Sequence, residues 1–252
     1  MLLTLGVLLP TSGISIFAAY TIHDEARRSL MSAASETARA LSLVADREVA
    51  YRAGILRTLA TSPALDRGDL RGFHEQARAA SPGTDNTVAL TDLAGRTLVN
   101  TRAPYTLIAP PPAGTSAPPE LGVRDSRPMV SNLYQSAATK QHKFAVWTPV
   151  MRDGRVIMHV SMGSVVSQLQ RIFDQQQLPA GWTGTLVDGQ GQVLARSVDG
   201  EQMIGRSATP DMLARLRADT HGMHETVTLD GTPVFTVFSR APDSGWSVLI
   251  GV

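Results

Sequence analysis

The pattern of apolar and polar positions divides the chain into three regimes. Residues 2–20, LLTLGVLLPTSGISIFAAY, are an apolar run without a single charged side chain. At 1.5 Å per residue a helix of this length spans about 29 Å, the thickness of a bilayer's hydrocarbon core. Its Thr and Ser hydroxyls can bond back to helix carbonyls, and its Pro and Gly residues are tolerated in membrane helices. A buried core helix would keep polar positions on one face. A cleaved signal peptide would open on a basic segment, whereas only Met1 precedes this run. The pattern predicts a membrane-spanning helix over residues 1–20.

From residue 21 the spacing changes to steps of three and four. Leu30, Ala34, Ala38, Leu41, Ala45 and Val49 recur with Arg and Glu between them, and no Pro or Gly intervenes before Gly54. One helix is predicted to continue to about Thr61. An Ala-rich stripe this long suggests that residues 30–45 face a second copy of the chain as a parallel helix pair. The alternative is that the stripe covers the chain's own sheet. GDLRGFHEQARAAS predicts a short second helix with Phe73, Ala77 and Ala80 on its apolar side.

Beyond it the pattern alternates as strands do, and it does so twice. VALTDLAGRTLVN starts at Val88 and GTLVDGQGQVLAR at Gly184. Each is an apolar strand, an Asp, a Gly-containing turn and a second apolar strand. The two Asp residues, Asp92 and Asp188, lie 96 positions apart (188 − 92). Downstream of the first hairpin, RPMVSNLYQS, HKFAVWTPVM and RVIMHVSMG read as three strands, the last two joined at Arg152-Asp153-Gly154. Downstream of the second, a helix at DMLARLRA precedes three further strands with turns at Asp230-Gly231 and Ser244-Gly245. Phe144, Val146, Trp147 and Gly154 recur as Phe235, Val237, Phe238 and Gly245, each 91 positions later (235 − 144). The Pro-rich stretch APYTLIAPPPAGTSAPPE cannot make a ladder and reads as a surface loop. The predicted fold class is α+β, with a long N-terminal helix carrying two tandem antiparallel-sheet modules. The predicted segments are 1–20 (membrane), 21–62 (stalk and dimer helix), 63–175 (first module) and 176–252 (second module).

Composition narrows the chemistry. Among 252 residues there is no Cys, which excludes disulfides, thiolate metal sites and cysteine nucleophiles. The net charge is +1 and no basic stripe is present, so no nucleic-acid partner is predicted. His221 and His224 have one-turn helical spacing, but Gly222 disfavours a helix there and no third ligand is near, so no metal is predicted. Asp92 and Asp188 read as turn caps, because Asp bonds its own backbone in turns. No Ser sits in a Gly-x-Ser-x-Gly elbow, nothing else argues for catalysis, and no cofactor is predicted.

The stretches LATSPAL, GDLRGFHEQARA, LVNTRAP, RPMVSNLY, TPVMRDGRVIMHVSMG, GTLVDGQGQVLARS and SGWSVLIGV resemble the double-Cache (PAS-like) extracytoplasmic sensor region of bacterial sensor histidine kinases. The resemblance runs from about residue 20 to residue 252. It implies a periplasmic, non-enzymatic input region in the bacterial inner membrane, with a small-molecule ligand in the membrane-distal first module and signalling through the long helix of a homodimer. In such receptors a second membrane helix and an output domain follow, and an exit helix would begin near LIGV. A chemoreceptor or diguanylate cyclase can use the same input, and a membrane-anchored exported hydrolase is the alternative of another class. Amino-acid-binding members carry an Arg-x-Trp-Tyr stretch and a later Asp for the ligand's ammonium. SRPMVSNLYQ lacks the first, and Ser161 stands where the Asp is expected, so an amino-acid ligand is not predicted.

The candidate ligand residues are Asn100, Arg102, Tyr134, Lys143, Trp147, His159 and Ser161. Arg102 reads as a clamp for a carboxylate or phosphate, or as a solvated strand end. Trp147 reads as core, like its counterpart Phe238, or as a ligand contact. His159 breaks an apolar strand and reads as a satisfied core histidine, a ligand contact or a pH-sensitive group. In the second module Phe235, Val237 and Phe238 are expected to fill the corresponding space.

Overall fold

The computed structural model describes the backbone of residues 2–81, 83, 85–105 and 128–252, and side chains from residue 25 onward except residue 26. Helix α1 is continuous over Leu2–Ala60. Among the described residues no helix is long and apolar enough to cross a membrane. The span expected at residues 2–20 falls where side chains are outside the described residues, as does most of the Pro-rich stretch. The helix stops because Pro63 restricts Ser62 to an extended conformation, and the Ser62 hydroxyl accepts the Ala64 N–H to start α2 (Pro63–Asp66). Asp69 caps α3 (Leu70–Ala80) through the Gly72 N–H at 2.9 Å.

The first sheet comprises β1 (Asn86–Asp92), β2 (Thr97–Asn100), β3 (Met129–Val130), β4 (Tyr134–Gln135), β5 (His142–Arg152) and β6 (Arg155–Val165). Its order is β2-β1-β6-β5-β3, with β4 also paired to β5. The turn between β5 and β6 has Asp153 and Gly154 both at positive φ (50° and 73°), the requirement of a type I′ hairpin. The single strand expected from RPMVSNLYQS is broken in two. Between β3 and β4 the Leu133 N–H leaves the ladder and donates to Asp188 Oδ2 at 2.8 Å.

A 3-10 turn (Val166–Gln170) and α4 (Arg171–Asp174) lead to the second sheet. That sheet comprises β7 (Thr183–Val187), β8 (Val193–Arg196), β9 (His221–Val227), β10 (Pro233–Arg240) and β11 (Ser247–Gly251), in the order β8-β7-β11-β10-β9. Helices α5 (Gly200–Met203) and α6 (Pro210–Ala218) lie between β8 and β9 in the chain.

Both sheets thus share one topology, and their ladders tie the two sequence offsets together. Ala89 pairs with Ser161, which pairs with Trp147. Thr185 pairs with Leu249, which pairs with Phe238. Stepping 96 residues from Ala89 gives Thr185, and 91 from Trp147 gives Phe238, so the register itself links the repeats. A bulge also falls at the same place in each, between Leu90 and Thr91 and between Leu186 and Val187.

Helix α1 lies across the inner faces of both sheets. Ser42 faces Ser239 of β10, and Asp46 accepts from the Asp243 and Ser244 N–H groups in the turn before β11. Further along, Arg52 reaches Ser164 of β6. The first sheet therefore sits at the end of α1 remote from residues 2–20. This packing corrects the expectation for the Ala-rich stripe. Ala34, Ala38, Leu41 and Ala45 are buried in the chain's own core, and only Leu30 stands exposed. Small side chains let the helix lie close on its own sheet, so the stripe is not free to face a second copy.

Candidate functional site

Each strand of the first sheet sends alternate side chains towards α1 and away from it. Phe144, Val146, Val150, Val160 and Met162 point to the helix and join the main core. On the opposite face, Asn100, Ala89, Ser161, Trp147 and Met129 form one row across five strands. Thr87, Gly163 and Ala145 form the next row, followed by Val165, Lys143 and Tyr134. On the other side of the Trp147 row lie Thr91, His159 and Pro149. Rows are about 7 Å apart.

Six of the seven residues singled out from the sequence share this face. The seventh, Arg102, is exposed in the turn after β2, its N–H bonded to Asn100 Oδ1 at 3.0 Å. The structure does not gather all seven around one point. His159 and Lys143 are three rows apart, about 20 Å, too far for one small molecule to touch both. Asn100, Ser161 and Trp147 lie together, with Lys143 and Tyr134 two rows away and His159 one row away in the other direction.

The face is rich in donors. Trp147 is 4% exposed, and its indole Nε1 is buried without a hydrogen-bond partner among the described residues. Lys143 is buried, which lowers the pKa of its ammonium; the Arg102 charge lowers it further and Asp85 works the other way. Among the described residues no carboxylate hydrogen-bonds to Lys143. Burial lowers the His159 pKa and so favours the neutral ring. Tyr134 is 41% exposed, but its hydroxyl end lies down on the sheet, 3.1 Å from where a Cβ on Gly163 would stand, and burial of that end raises its pKa. Glycine at 163 leaves room for that hydroxyl. Buried donors without acceptors suit a molecule that brings acceptors of its own.

Solved structures with this arrangement exist. The ligand-binding domain of the Pseudomonas fluorescens chemoreceptor CtaA, in complex with L-isoleucine, is 16% identical over 92% of this chain and 96% of that one, with a TM-score of 0.67. The ligand-binding domain of the Pseudomonas aeruginosa PAO1 amino-acid chemoreceptor PctB, in complex with L-Arg, is 14% identical over 89% and 95%, with a TM-score of 0.62. The extracellular domain of rpHK1S-Z16, a candidate histidine kinase, is 17% identical over 86% and 87%, with a TM-score of 0.56. This chain has the double-Cache fold. No protein-family model and no curated protein matches it by sequence.

The second module of this double-Cache fold is not filled as expected. Val237 joins the core against α1, Phe238 joins a smaller cluster with Met212 and Leu216 on the outer face, and Phe235 lies under the Arg27 guanidinium, 4.4 Å from its ring centre. A cavity of about 60 Å³ remains on the outer face beside Arg196. His221 and His224 lie on strand β9, where an odd spacing puts them on opposite faces, and His224 Nδ1 is 2.6 Å from Arg215 Nη1. Among the described residues no group of three metal ligands forms.

Two charged groups join the modules: Arg52, which the sequence did not single out, and Asp188, which it singled out only as a turn cap. Arg52 is buried and donates to Ser164 Oγ (3.0 Å), Gln168 Oε1 (2.8 Å) and the Glu48 carboxylate (2.9 Å), so α1, β6 and the inter-module turn meet at one guanidinium. The available signal was an Arg in phase with the apolar stripe Ala45, Val49 and Leu56. Asp92 and Asp188 cap their turns as expected, at Ala94 and Arg96 and at Gln190 and Gln192. Asp188 alone uses its second oxygen to hold Leu133 of the first module.

Proposed function

We propose that this chain is the extracytoplasmic, non-enzymatic sensing region of a bacterial membrane receptor of the sensor-kinase kind, and that it holds a small organic anion on the outer face of its first sheet. The observation that carries the reading is the buried indole N–H of Trp147, without a partner among the described residues, in one row with Asn100 and Ser161 and two rows from buried Lys143. Indole and hydroxyl would donate to acceptors on the ligand, while Lys143 and Arg102 would meet its charge. CtaA and PctB are solved with amino acids bound, which supports a small-molecule ligand. Among the described residues no carboxylate stands in the row of Asn100, Ser161 and Trp147, and the one whose charge acts on Lys143, Asp85, already opposes that cation, so an anion without an amino group fits better. Because the same fold occurs in chemoreceptors, a chemoreceptor input is the second reading.

Residues 2–20 would anchor the chain, leaving the first sheet distal to the membrane and the second proximal to it. Two copies would pair along the face of α1 that remains open, where Leu43 and Tyr51 are exposed. Binding signals only if the ligand favours one of two arrangements. The Arg52 cluster and the Asp188–Leu133 bond are the contacts through which the first module would bias the rest.

Thermal-shift titration of the full chain with succinate, malate and citrate, beside L-isoleucine and L-arginine, tests this. One of the organic anions should raise Tm. Trp147→Phe, which keeps the ring and removes the donor, should weaken that ligand about tenfold or more, as should Lys143→Met. Stabilisation by the amino acids alone would refute the ligand class. An anion shift untouched by either substitution would refute the face.

A further inference from the structure

The second module repeats the first position by position, and the repeat extends to its outer face. Arg196 pairs with Thr185 as Asn100 pairs with Ala89, so the register puts a guanidinium where the first module has an amide. Its side chain is 5% exposed. Nη2 meets Asp230 Oδ1 at 3.1 Å, and Nε is buried with no hydrogen-bond partner among the described residues. Five donors sharing one described carboxylate oxygen leave a buried cation short of acceptors.

Beside it lies the cavity of about 60 Å³. Its floor is the outer face of the second sheet, where Thr183, Thr185, Thr236 and Leu249 lie side by side with Val187, and Met212 of α6 lines it from above the sheet. Thr236 already shares a 2.7 Å hydrogen bond with Thr226. A water needs roughly 10–15 Å³ of such space, so the cavity has room for about four to six atoms. A cation and hydroxyls set among apolar side chains match a carboxylate on a short alkyl tail.

We propose that the second module holds a small monocarboxylate, of acetate or propanoate size, in the cavity beside Arg196. The carboxylate takes up donors of Arg196 that Asp230 leaves free, the Thr hydroxyls complete its shell, and the methyl end lies against Val187 and Leu249. Gln170 of the inter-module turn holds the same strand, its side-chain amide donating to the Arg196 carbonyl at 2.9 Å. Occupancy therefore acts on the segment that joins the two modules. The site is independent of the one on the first sheet.

The test is a thermal-shift titration of the full chain with sodium propanoate against matched sodium chloride. Propanoate should give a saturable rise in Tm, and hexanoate, whose tail overruns the lined space, should bind more weakly. Arg196→Gln should raise the half-saturating concentration about tenfold to a hundredfold, and Thr185→Val, which keeps the shape and removes one hydroxyl, about two- to tenfold. Trp147→Phe should leave it unchanged. If Arg196→Gln fails to fold, Thr185→Val and the chain-length cut-off decide the matter. The absence of a saturable propanoate shift overturns the proposal. So does equal binding of hexanoate, or a shift that Trp147→Phe removes and Thr185→Val leaves intact, because the carboxylate then sits on the first sheet. The first-sheet reading fails separately, on succinate, malate and citrate with Trp147→Phe and Lys143→Met.

Discussion

Leu41→Ala distinguishes a helix stripe that holds the chain's own core from one that holds a partner. Leu41 is 1% exposed and sits between Ala38 and Ala45 on the face of α1 that covers the second sheet. Removing its isobutyl group deletes the transfer energy of the buried carbons and leaves a void that two alanines cannot close. Such substitutions cost about 2–5 kcal/mol, and the rigid neighbours put this one at about 3–4 kcal/mol. In a chain of this size each kcal/mol lowers Tm by about 2–4 °C, so a fall of roughly 6–16 °C is expected. Leu43→Ala, on the opposite face at 52% exposure, should cost less than about 1 kcal/mol. Thermal unfolding followed by circular dichroism measures both, and sedimentation velocity reports self-association. If Leu41→Ala leaves Tm within about 2 °C of the parent yet abolishes self-association, the stripe is an interface after all and the packing argument fails.

Two further outcomes follow from single groups. Asp188→Ala removes two turn bonds and the cross-module bond to Leu133, all on a buried carboxylate, and should cost about 2–4 kcal/mol in chemical denaturation; Asp92→Ala loses only its local turn and its Arg96 pair and should cost less, so equal losses would deny the cross-module bond any weight. Burial lowers the His159 pKa from 6.5, so below about pH 6.5 the unfolded chain binds a proton that the folded chain resists. Stability should therefore fall as pH drops through that range, by at most about 1.4 kcal/mol per pH unit from this group, and His159→Gln should flatten that part of the profile; an unchanged slope would mean that His159 titrates freely in the folded state.

Period and repetition in the sequence determined the class of this protein. The three-and-four spacing set α1, the alternation set the strands, and the Asp92–Asp188 and Trp147–Phe238 offsets set two copies of one sheet. These signals are local, because a strand's alternation and a turn's chemistry are written in adjacent residues. The sequence named Asn100, Trp147 and Ser161 as candidates, but the pairing register of four strands was needed to put them on one face. What lies on the other side of a helix or sheet is not local. The Ala stripe of α1 reads the same whether it meets its own sheet or a copy, and only packing chose the sheet. Two Asp residues in matching turns read alike, yet only one reaches the other module. Arg52 and Glu48 have the spacing of a helical ion pair, and only β6 and the inter-module turn bury the guanidinium. Alternation sends Phe235 and Val237 to the α1 side and Phe238 to the outer face, but the cavity beside Arg196 is walled by Ala208, Thr209 and Met212 and by residues 226–229, which only packing brings over the sheet.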